Sequence, residues 1–481
     1  MTRRNFLAGM SATGLLGAGC VVDKWKLAAG GKMQGYGAPP LGRVRIGVVG
    51  LGCRGTAAVS RLAIVPGCEV VALCDLFPER VEIQQKALAR AGRSKARTYS
   101  GAEGYKALCD SDLDLVYVTT PWMLHAPISL YAMRAGKHVA TEVPGAMTVD
   151  DCWNLVETSE KTLRHCAVLE NCCYGEYELL ALSLCRRGVL GELLHGEAAY
   201  VHDLRRYQFG DMKMDDPDAG YWNHWRLKYN REHAGNAYPT HGLGPVCQYL
   251  GVNRGDRLDY LVSMEGNSRG LQEYAREVLK DDPRWKDLEI AAGDLNSTLI
   301  RTVRGRTILL QHDVVNARPY TRLNAIAGTR GILQGYSGGE AKGYPLRIAF
   351  EKKIGAGAHK FDDREIGNIR RECAHPLWKQ MGELAAKAGG HGGMDFLMDL
   401  RLVYCLANGI APDIDVYDLA TWSSIVELTE RSARGRSAAV DCPDFTRGAW
   451  KTSEPLGLVT CDMKKMDVRN PGTAAKGQMD V

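Results

Sequence analysis

Fifteen cysteines are present, yet no two stand at Cys-x-x-Cys spacing. That argues against a zinc site, and no metal is expected. Cys172 and Cys173 are adjacent and do not bridge easily; the other thiols sit mostly in apolar runs, as small buried residues do. No segment repeats at a fixed period, which argues against a solenoid or propeller. The net charge is only +5 over 481 residues, so nucleic acid is not an expected partner. Past the N-terminus, no run reaches the roughly eighteen uncharged apolar residues of a membrane span. Disorder is excluded by composition, with 45% hydrophobic and 24% charged residues.

What is present suits two domains and a loop-rich enzyme, with 54 glycines. The first twenty residues stand apart. Arg3 and Arg4 precede a weakly apolar stretch of small residues, as in a twin-arginine export signal, which directs a folded protein to the periplasm or cell envelope. Leu16-Gly-Ala-Gly ahead of Cys20 resembles a lipoprotein cleavage site, although Gly17 stands where a leucine is usual. That likeness allows a membrane tether through a lipidated Cys20 without requiring one. Export of a folded chain suits a protein that must acquire a cytoplasmic cofactor first, and folding in the cytoplasm lets the thiols stay reduced.

Residues 21–42 lack periodicity and read as a linker. From residue 43 to 174, apolar strands alternate with amphipathic helices, as in a Rossmann domain with a doubly wound parallel sheet. From 175 to 450, longer strands and two late helices predict an α+β domain built on an open, mostly antiparallel sheet. Residues 451–481 read as an irregular, surface-draped tail. The exposed face of such an open sheet can pair subunits, so a homo-oligomer is compatible with the pattern.

Gly50-x-Gly52-x-x-Gly55 follows a strand and opens a helix, and Asp75 ends the next strand twenty residues later. This is the context of a dinucleotide fingerprint. The turn of Gly50, Gly52, Cys53, Arg54 and Gly55 would cradle a pyrophosphate at a helix N-terminus. The Asp75 carboxylate would accept from the adenosine ribose and repel a 2′-phosphate, favouring NAD. Ligands of such sheets bind outside the carboxyl ends of the strands. Trp122, Met123, Leu124 and His125 follow one strand, Glu142 and Val143 the next, and Asn171 the one after. The Asn171 amide is placed to hold the nicotinamide ribose or carboxamide.

With "TTP" after one strand and Glu-x-Pro after the next, the chain resembles the glucose-fructose oxidoreductase and inositol dehydrogenase family. Ordinary members carry a lysine where this chain has Val143, and an aspartate four residues before a histidine where this chain has Ala237 before His241. The departures point to one branch. "TPWMLH", "EVPGA", "NCCYG", "WNHWRLKYNREHAGNAYPTHGLGPVCQYLG", "RPYTR" and "GGHGGMDF" occur in order and resemble the NAD-dependent glycosidases of glycoside hydrolase family 109. Their representative activity is α-N-acetylgalactosaminidase.

The resemblance implies tightly bound NAD that is regenerated in every cycle, through oxidation at the sugar C3, elimination across C1 and C2, water addition and re-reduction. It implies Tyr174 and His241 as the proton-transfer residues, Tyr174 at C2 and His241 at the 3-hydroxyl, with the roles exchangeable. It also implies a glycan carrying terminal α-N-acetylgalactosamine, bound by Tyr207, Arg226, Tyr238, Pro239, Thr240, His241 and Tyr320. Gly pairs also mark plain loops, so "GGHGGMDF" leaves His391 and Asp395 outside this set. The competing readings are an NAD-dependent sugar dehydrogenase, disfavoured by the missing lysine, and a sugar-binding protein with a degenerate site.

Overall fold

The computed structural model describes residues 31–213, 216, 219–335 and 346–466. The export signal and Cys20 lie outside the described residues. Six strands form a wholly parallel sheet: β1 (Val44–Val49), β2 (Cys68–Asp75), β3 (Arg97–Ser100), β4 (Leu115–Val118), β5 (His138–Thr141) and β6 (Cys166–Val168), in the order β3-β2-β1-β4-β5-β6. β4, β5 and the edge strand β6 are buried throughout, as expected of strands covered on both faces. The strand order reverses between β1 and β4, where Val49 pairs with Val118. That switch point opens a crevice directly beyond Gly50 and Thr119.

Helices cover both faces. α1 (Cys53–Leu62) begins in the fingerprint, α2 (Pro78–Arg90) carries Pro78 in its first turn, α3 (Gly104–Asp110) is short, and α4 (His125–Arg134) follows β4. α5 (Val149–Thr162) is capped by Thr148, whose side chain accepts from Asp151 N at 3.1 Å. α6 (Glu176–Arg186) leads out of the domain.

The second sheet is mixed and eight-stranded. It contains β7 (Leu193–Val201), β8 (Leu258–Glu265), β9 (Asn296–Thr302), β10 (Thr307–Asp313), β11 (Ala325–Gly328), β12 (Gly331–Gln334), β13 (Arg347–Phe350) and β14 (Val440–Asp441), in the order β13-β12-β11-β7-β10-β9-β8-β14. Only β7 and β10 pair in parallel; the other neighbours are antiparallel. After α7 (Arg205–Phe209) and α8 (Trp225–Glu232), α9 (Thr240–Leu250) packs on β7. Gly242 permits this close approach, because a Cβ there would lie 2.4 Å from Ala199 N. α10 (Gly270–Val278), α11 (Asp363–Cys373) and α12 (Pro376–Ala388) precede two long helices, α13 (Met394–Asn408) and α14 (Val416–Arg434). α14 is buried along most of its length and lies against both α5 and β8, so it joins the two sheets into one body. The outward face of the second sheet leaves Tyr260, Met264 and Leu299 exposed.

Two segments differ from expectation. Residues 31–42 are no free linker: Met33 and Ala38 are buried, Met33 N donates to the Tyr417 hydroxyl, and Leu41 N donates to Leu406 O. The tail is irregular through residue 466 but firmly seated, with Cys461 and Met466 buried and Thr460 O accepting from Arg401. Short apolar stretches without periodicity hide such docking from sequence reasoning. Among the described residues no two cysteines form a disulfide, and no helix is long and apolar enough to cross a membrane.

Candidate functional site

The glycine turn is as tight as the fingerprint requires. Gly50 has φ +90°, and a Cβ on it would lie 2.9 Å from the Thr119 backbone. A Cβ on Gly55 would lie 1.8 Å from Gly50 O, so only glycine lets α1 start this close to β1. Asp75 is buried at the end of β2, where Oδ2 accepts from Leu51 N at 2.6 Å and Oδ1 from Phe77 N at 3.0 Å. The turn and the carboxylate are therefore locked together, and the backbone cradle fits a dinucleotide. Met123 and Leu124 remain exposed at the mouth of the same crevice, offering apolar surface to a bound cofactor. Cys53, the first residue of α1, is exposed.

Both ring nitrogens of His125 meet backbone carbonyls of the protein itself. Its Nδ1 lies 2.7 Å from Pro144 O and its Nε2 2.7 Å from Thr120 O, so the ring staples the β4 loop to the β5 loop. Burial pushes its pKa down, and the two carbonyls only partly oppose that. Trp122 turns away from the turn and toward the second domain, where its ring meets those of Trp225, Tyr229 and Tyr238. Val143 is buried and precedes a cis peptide bond to Pro144.

The strand ends of β5 and β6 are wired to the fingerprint. Arg54 Nε and Nη2 grip Glu142 Oε1 at 2.9 and 2.8 Å. Arg54 Nη1 also reaches Asp395 Oδ2 at 3.3 Å, and Asn171 Nδ2 donates to Asp395 Oδ1 at 2.6 Å. Burial opposes ionisation of Asp395, but Arg54 and Arg61 outweigh it and hold the carboxyl well below the usual range. Glu142, Arg54 and Asn171 thus come together, organised by Asp395, an aspartate left out of the candidate set.

Across the crevice, α9 delivers His241. Its Nδ1 lies 2.8 and 3.0 Å from the two carboxylate oxygens of Glu170, which is fully buried just beyond β6. Gly244 makes room for this pairing, since a Cβ there would lie 3.0 Å from Glu170 Cγ. Burial works against a charged Glu170, yet the His241 charge and hydrogen bond prevail and keep its pKa below normal. Tyr200 and Tyr238 stand edge-on to the His241 ring, with centroids 5.3 and 4.8 Å away. Tyr238, Pro239, Thr240 and His241 form one continuous wall, the first residue of which also faces Trp122. The Tyr200 hydroxyl lies 3.1 Å from His202 Nδ1, and the His202 ring meets Tyr320 at 5.0 Å. Burial and the nearby Arg226 charge push His202 down to about 4, so it is a neutral base at neutral pH.

Arg226 occupies an aromatic box, its guanidinium 4.5 to 5.3 Å from the rings of Trp122, Tyr221, Trp225 and Tyr238. Its Nε is buried without a hydrogen-bond partner, a donor waiting for an oxygen. Tyr207 packs beside Tyr221 at the edge of this box, and Tyr320 accepts from Arg322 at 2.9 Å.

Tyr174 is the exception among the expected catalytic residues. Its hydroxyl donates to Asp413 Oδ2 at 3.2 Å, beside the buried Arg401–Asp413 ion pair. Burial and the Asp413 charge raise its pKa well above normal, and its hydroxyl is engaged by that carboxylate. Sequence adjacency to Asn171 and Glu170 hid this, because a 3-10 turn over Asn171–Tyr174 points successive side chains in different directions. Conversely, Glu170, Tyr200, His202 and Asp395 escaped the sequence reading. Tyr200 and His202 sit at the end of β7 on an alternating pattern that could have flagged them.

Glu170, Cys172 and His241 also offer donor atoms within 4.8 Å of one another. The carboxylate is already engaged by His241 and Cys172 N, and burial holds the Cys172 thiol protonated, so the group reads as a proton-handling pair.

A fingerprint domain facing an open-sheet domain across a crevice defines a two-domain, NAD-binding protein of the oxidoreductase type. Residues 44–169 match the oxidoreductase-family NAD-binding Rossmann fold, and residues 174–452 match the C-terminal domain of glycosyl hydrolase 109. The chain belongs to glycoside hydrolase family 109 and is a glycoside hydrolase. It is 44% identical over 470 residues to a glycosyl hydrolase family 109 protein of Shewanella pealeana, covering 95% of this chain and 99% of that one. It is 44% identical over 419 residues to an α-N-acetylgalactosaminidase of Bacteroides fragilis, covering 87% and 95%. In fold it is similar to a levoglucosan dehydrogenase in complex with NADH and L-sorbose, with TM-score 0.64 and 18% identity over 84% of this chain and 99% of that one. An NAD-binding oxidoreductase of Klebsiella pneumoniae gives TM-score 0.63 and 16% identity over 84% and 100%.

Proposed function

We propose that this enzyme hydrolyses terminal α-N-acetylgalactosaminides, with NAD held through many turnovers. The observation that carries the reading is the Glu170–His241 pair on the wall of the crevice, opposite a strand end that holds Val143 in place of a lysine. The name of the Bacteroides fragilis relative supports the sugar. When bound, NAD⁺ supplies reversible oxidation of the sugar C3 hydroxyl, and the resulting ketone makes the C2 hydrogen acidic. Gly50, Gly52 and Gly55 would hold its pyrophosphate, Asp75 the adenosine ribose, and Asn171 and Glu142 the nicotinamide end.

The protein supplies orientation and proton transfer. Glu170 fixes His241 through Nδ1, which presents Nε2 to the 3-hydroxyl and lets it take that proton. Tyr200 is the group we assign to the C2 proton in place of Tyr174, on position: its hydroxyl meets His202 and its ring the His241 ring, while burial raises its pKa as it does that of Tyr174. The unpaired Nε of Arg226 is suited to the N-acetyl carbonyl, while Tyr238, Tyr207 and Tyr320 offer ring faces and hydroxyls to the sugar. Such an elimination needs no pair of carboxylates flanking the glycosidic bond.

Export by the twin-arginine route would deliver the folded, NAD-loaded enzyme to the cell envelope, with or without a lipid at Cys20. The exposed Tyr260, Met264 and Leu299 on the second sheet suit a homo-oligomer. The test is release of the aglycone from an α-N-acetylgalactosaminide without added cofactor and without net NADH. Stoichiometric NADH with free sugar would instead establish a dehydrogenase.

A further inference from the structure

The second domain reaches across to the fingerprint turn. Residues 210–213, which follow α7, and residues 219–222, which lead to α8, lie side by side. Gly210 and Gly220 allow this, since a Cβ on Gly220 would lie 2.2 Å from the Gly210 carbonyl carbon. Asp211 Oδ1 accepts from Asn223 N at 2.7 Å, and Tyr221 N donates to Tyr207 O at 3.2 Å, so the two arms are stapled to each other and to α7. Met212 then lies against the turn itself: a Cβ on Gly52 would meet its Cε at 3.1 Å and its Sδ at 3.4 Å. Trp222 lies against Phe77, with ring centroids 6.0 Å apart and the rings edge-on. Phe77 belongs to the same corner as Asp75: its N donates to the Asp75 carboxylate, and the Arg80 guanidinium lies 4.9 Å above its ring and 3.8 Å from Asp75 Oδ1.

Both contacts fall on the features assigned to NAD, the glycine turn and the Asp75 corner, and both come from the other domain. Met212 and Trp222 are half-buried. Met212 is apolar with three rotatable bonds, so it can yield to a pyrophosphate and close over it. We propose that Met212 and Trp222 roof the dinucleotide cradle from the second domain and are the residues that make the cofactor resident. This inference rests on the retained-cofactor reading above. A cradle open to water on its outer side lets a dinucleotide leave by simple dissociation. Here departure requires lifting two apolar side chains off the fingerprint domain and wetting them. The cover also keeps water from weakening the hydrogen bonds of the backbone N–H groups to the pyrophosphate. The same arm carries Tyr221, whose ring lies 4.5 Å from the Arg226 guanidinium. Lifting the roof therefore disturbs the aromatic box assigned to the N-acetyl group, and retention of NAD is linked to the shape of the sugar site.

The experiment follows release of bound NAD from the purified holoenzyme into excess isotopically labelled NAD, read by mass spectrometry. Wild type is compared with Met212→Ala, Met212→Leu and Trp222→Ala. Met212 is only half-buried, so its truncation spares the fold even where loss of Trp222 does not, and thermal midpoints check both. The expected result is release about tenfold or more faster in the two alanine variants. Met212→Leu, which keeps an apolar cover, should restore slow release. Hydrolysis by the alanine variants should fade on desalting and return when NAD is added. Release at the wild-type rate in Met212→Ala, or activity lost with NAD still bound, would overturn the roof. Wild-type protein that exchanges its NAD within each turnover would refute the resident cofactor by itself, while the ratio of variant to wild-type release rates would still decide the role of Met212 and Trp222.

Discussion

His241 Nδ1 lies 2.8 Å from Glu170 Oε1, and the carboxylate that holds it is wholly buried. A buried, ionised carboxylate is costly unless fully partnered, and His241 with Cys172 N supplies the partners. The pairing fixes the imidazole tautomer, as a second group does for a catalytic histidine elsewhere. Glu170→Gln should therefore lower kcat by about 10²–10⁴-fold with bound NAD unchanged. Turnover kinetics and the absorbance of bound cofactor check this together. Because the folded pKa of Glu170 is depressed, its contribution to stability is present above the ordinary carboxyl range and is lost as pH falls through the lower folded value.

Tyr174 and Tyr200 should separate cleanly. Tyr174→Phe removes one hydrogen bond to Asp413 and is expected to cost about 1 kcal/mol of stability, with kcat within a few-fold of wild type. Tyr200→Phe should fold normally and lose about 10²-fold or more in hydrolysis. Thermal midpoints and initial rates of the two variants decide between them.

Val143→Lys tests whether one lysine makes a dehydrogenase. Val143 is 2% exposed, so the ammonium would be buried with no partner provided for it. The expected outcome is a lower thermal midpoint and no stoichiometric NADH from free N-acetylgalactosamine. Efficient NADH production by this variant would show that the missing lysine alone separates the two chemistries.

Acid sensitivity should come from a buried imidazole pair. His138 and His165 stack with centroids 5.2 Å apart, and burial pushes their pKa values down to about 3 and about 4. Unfolded histidines titrate near ~6.5, so the unfolded state gains protons first as pH falls. Stability is therefore complete above that pH and declines between it and the folded values, by about 2 kcal/mol per imidazole at pH 5. His165→Asn should flatten the fall in thermal midpoint between pH 7 and pH 5.

The strand–helix alternation, the Gly50–Gly55 turn and Asp75 were legible because each rests on local periodicity or on spacing within one βαβ unit. His241 and Arg226 were legible only through resemblance. Glu170 was not, since a lone acid after a strand looks like any turn residue until α9 is folded against it. The partners of His125 and Tyr174 were not legible: both lie inside true motifs, but side-chain direction at a 3-10 turn depends on tertiary partners such as Pro144 O and Asp413. Asp395 needed the folded structure, because Gly pairs alone do not show that the loop packs against Arg54 and Asn171.

The most direct test is hydrolysis of an α-N-acetylgalactosaminide in deuterium oxide, followed by NMR of the released sugar. Elimination through a C3 ketone predicts deuterium at C2 in every turnover, with NAD unchanged at the end. Active hydrolysis with protium retained at C2 would contradict it.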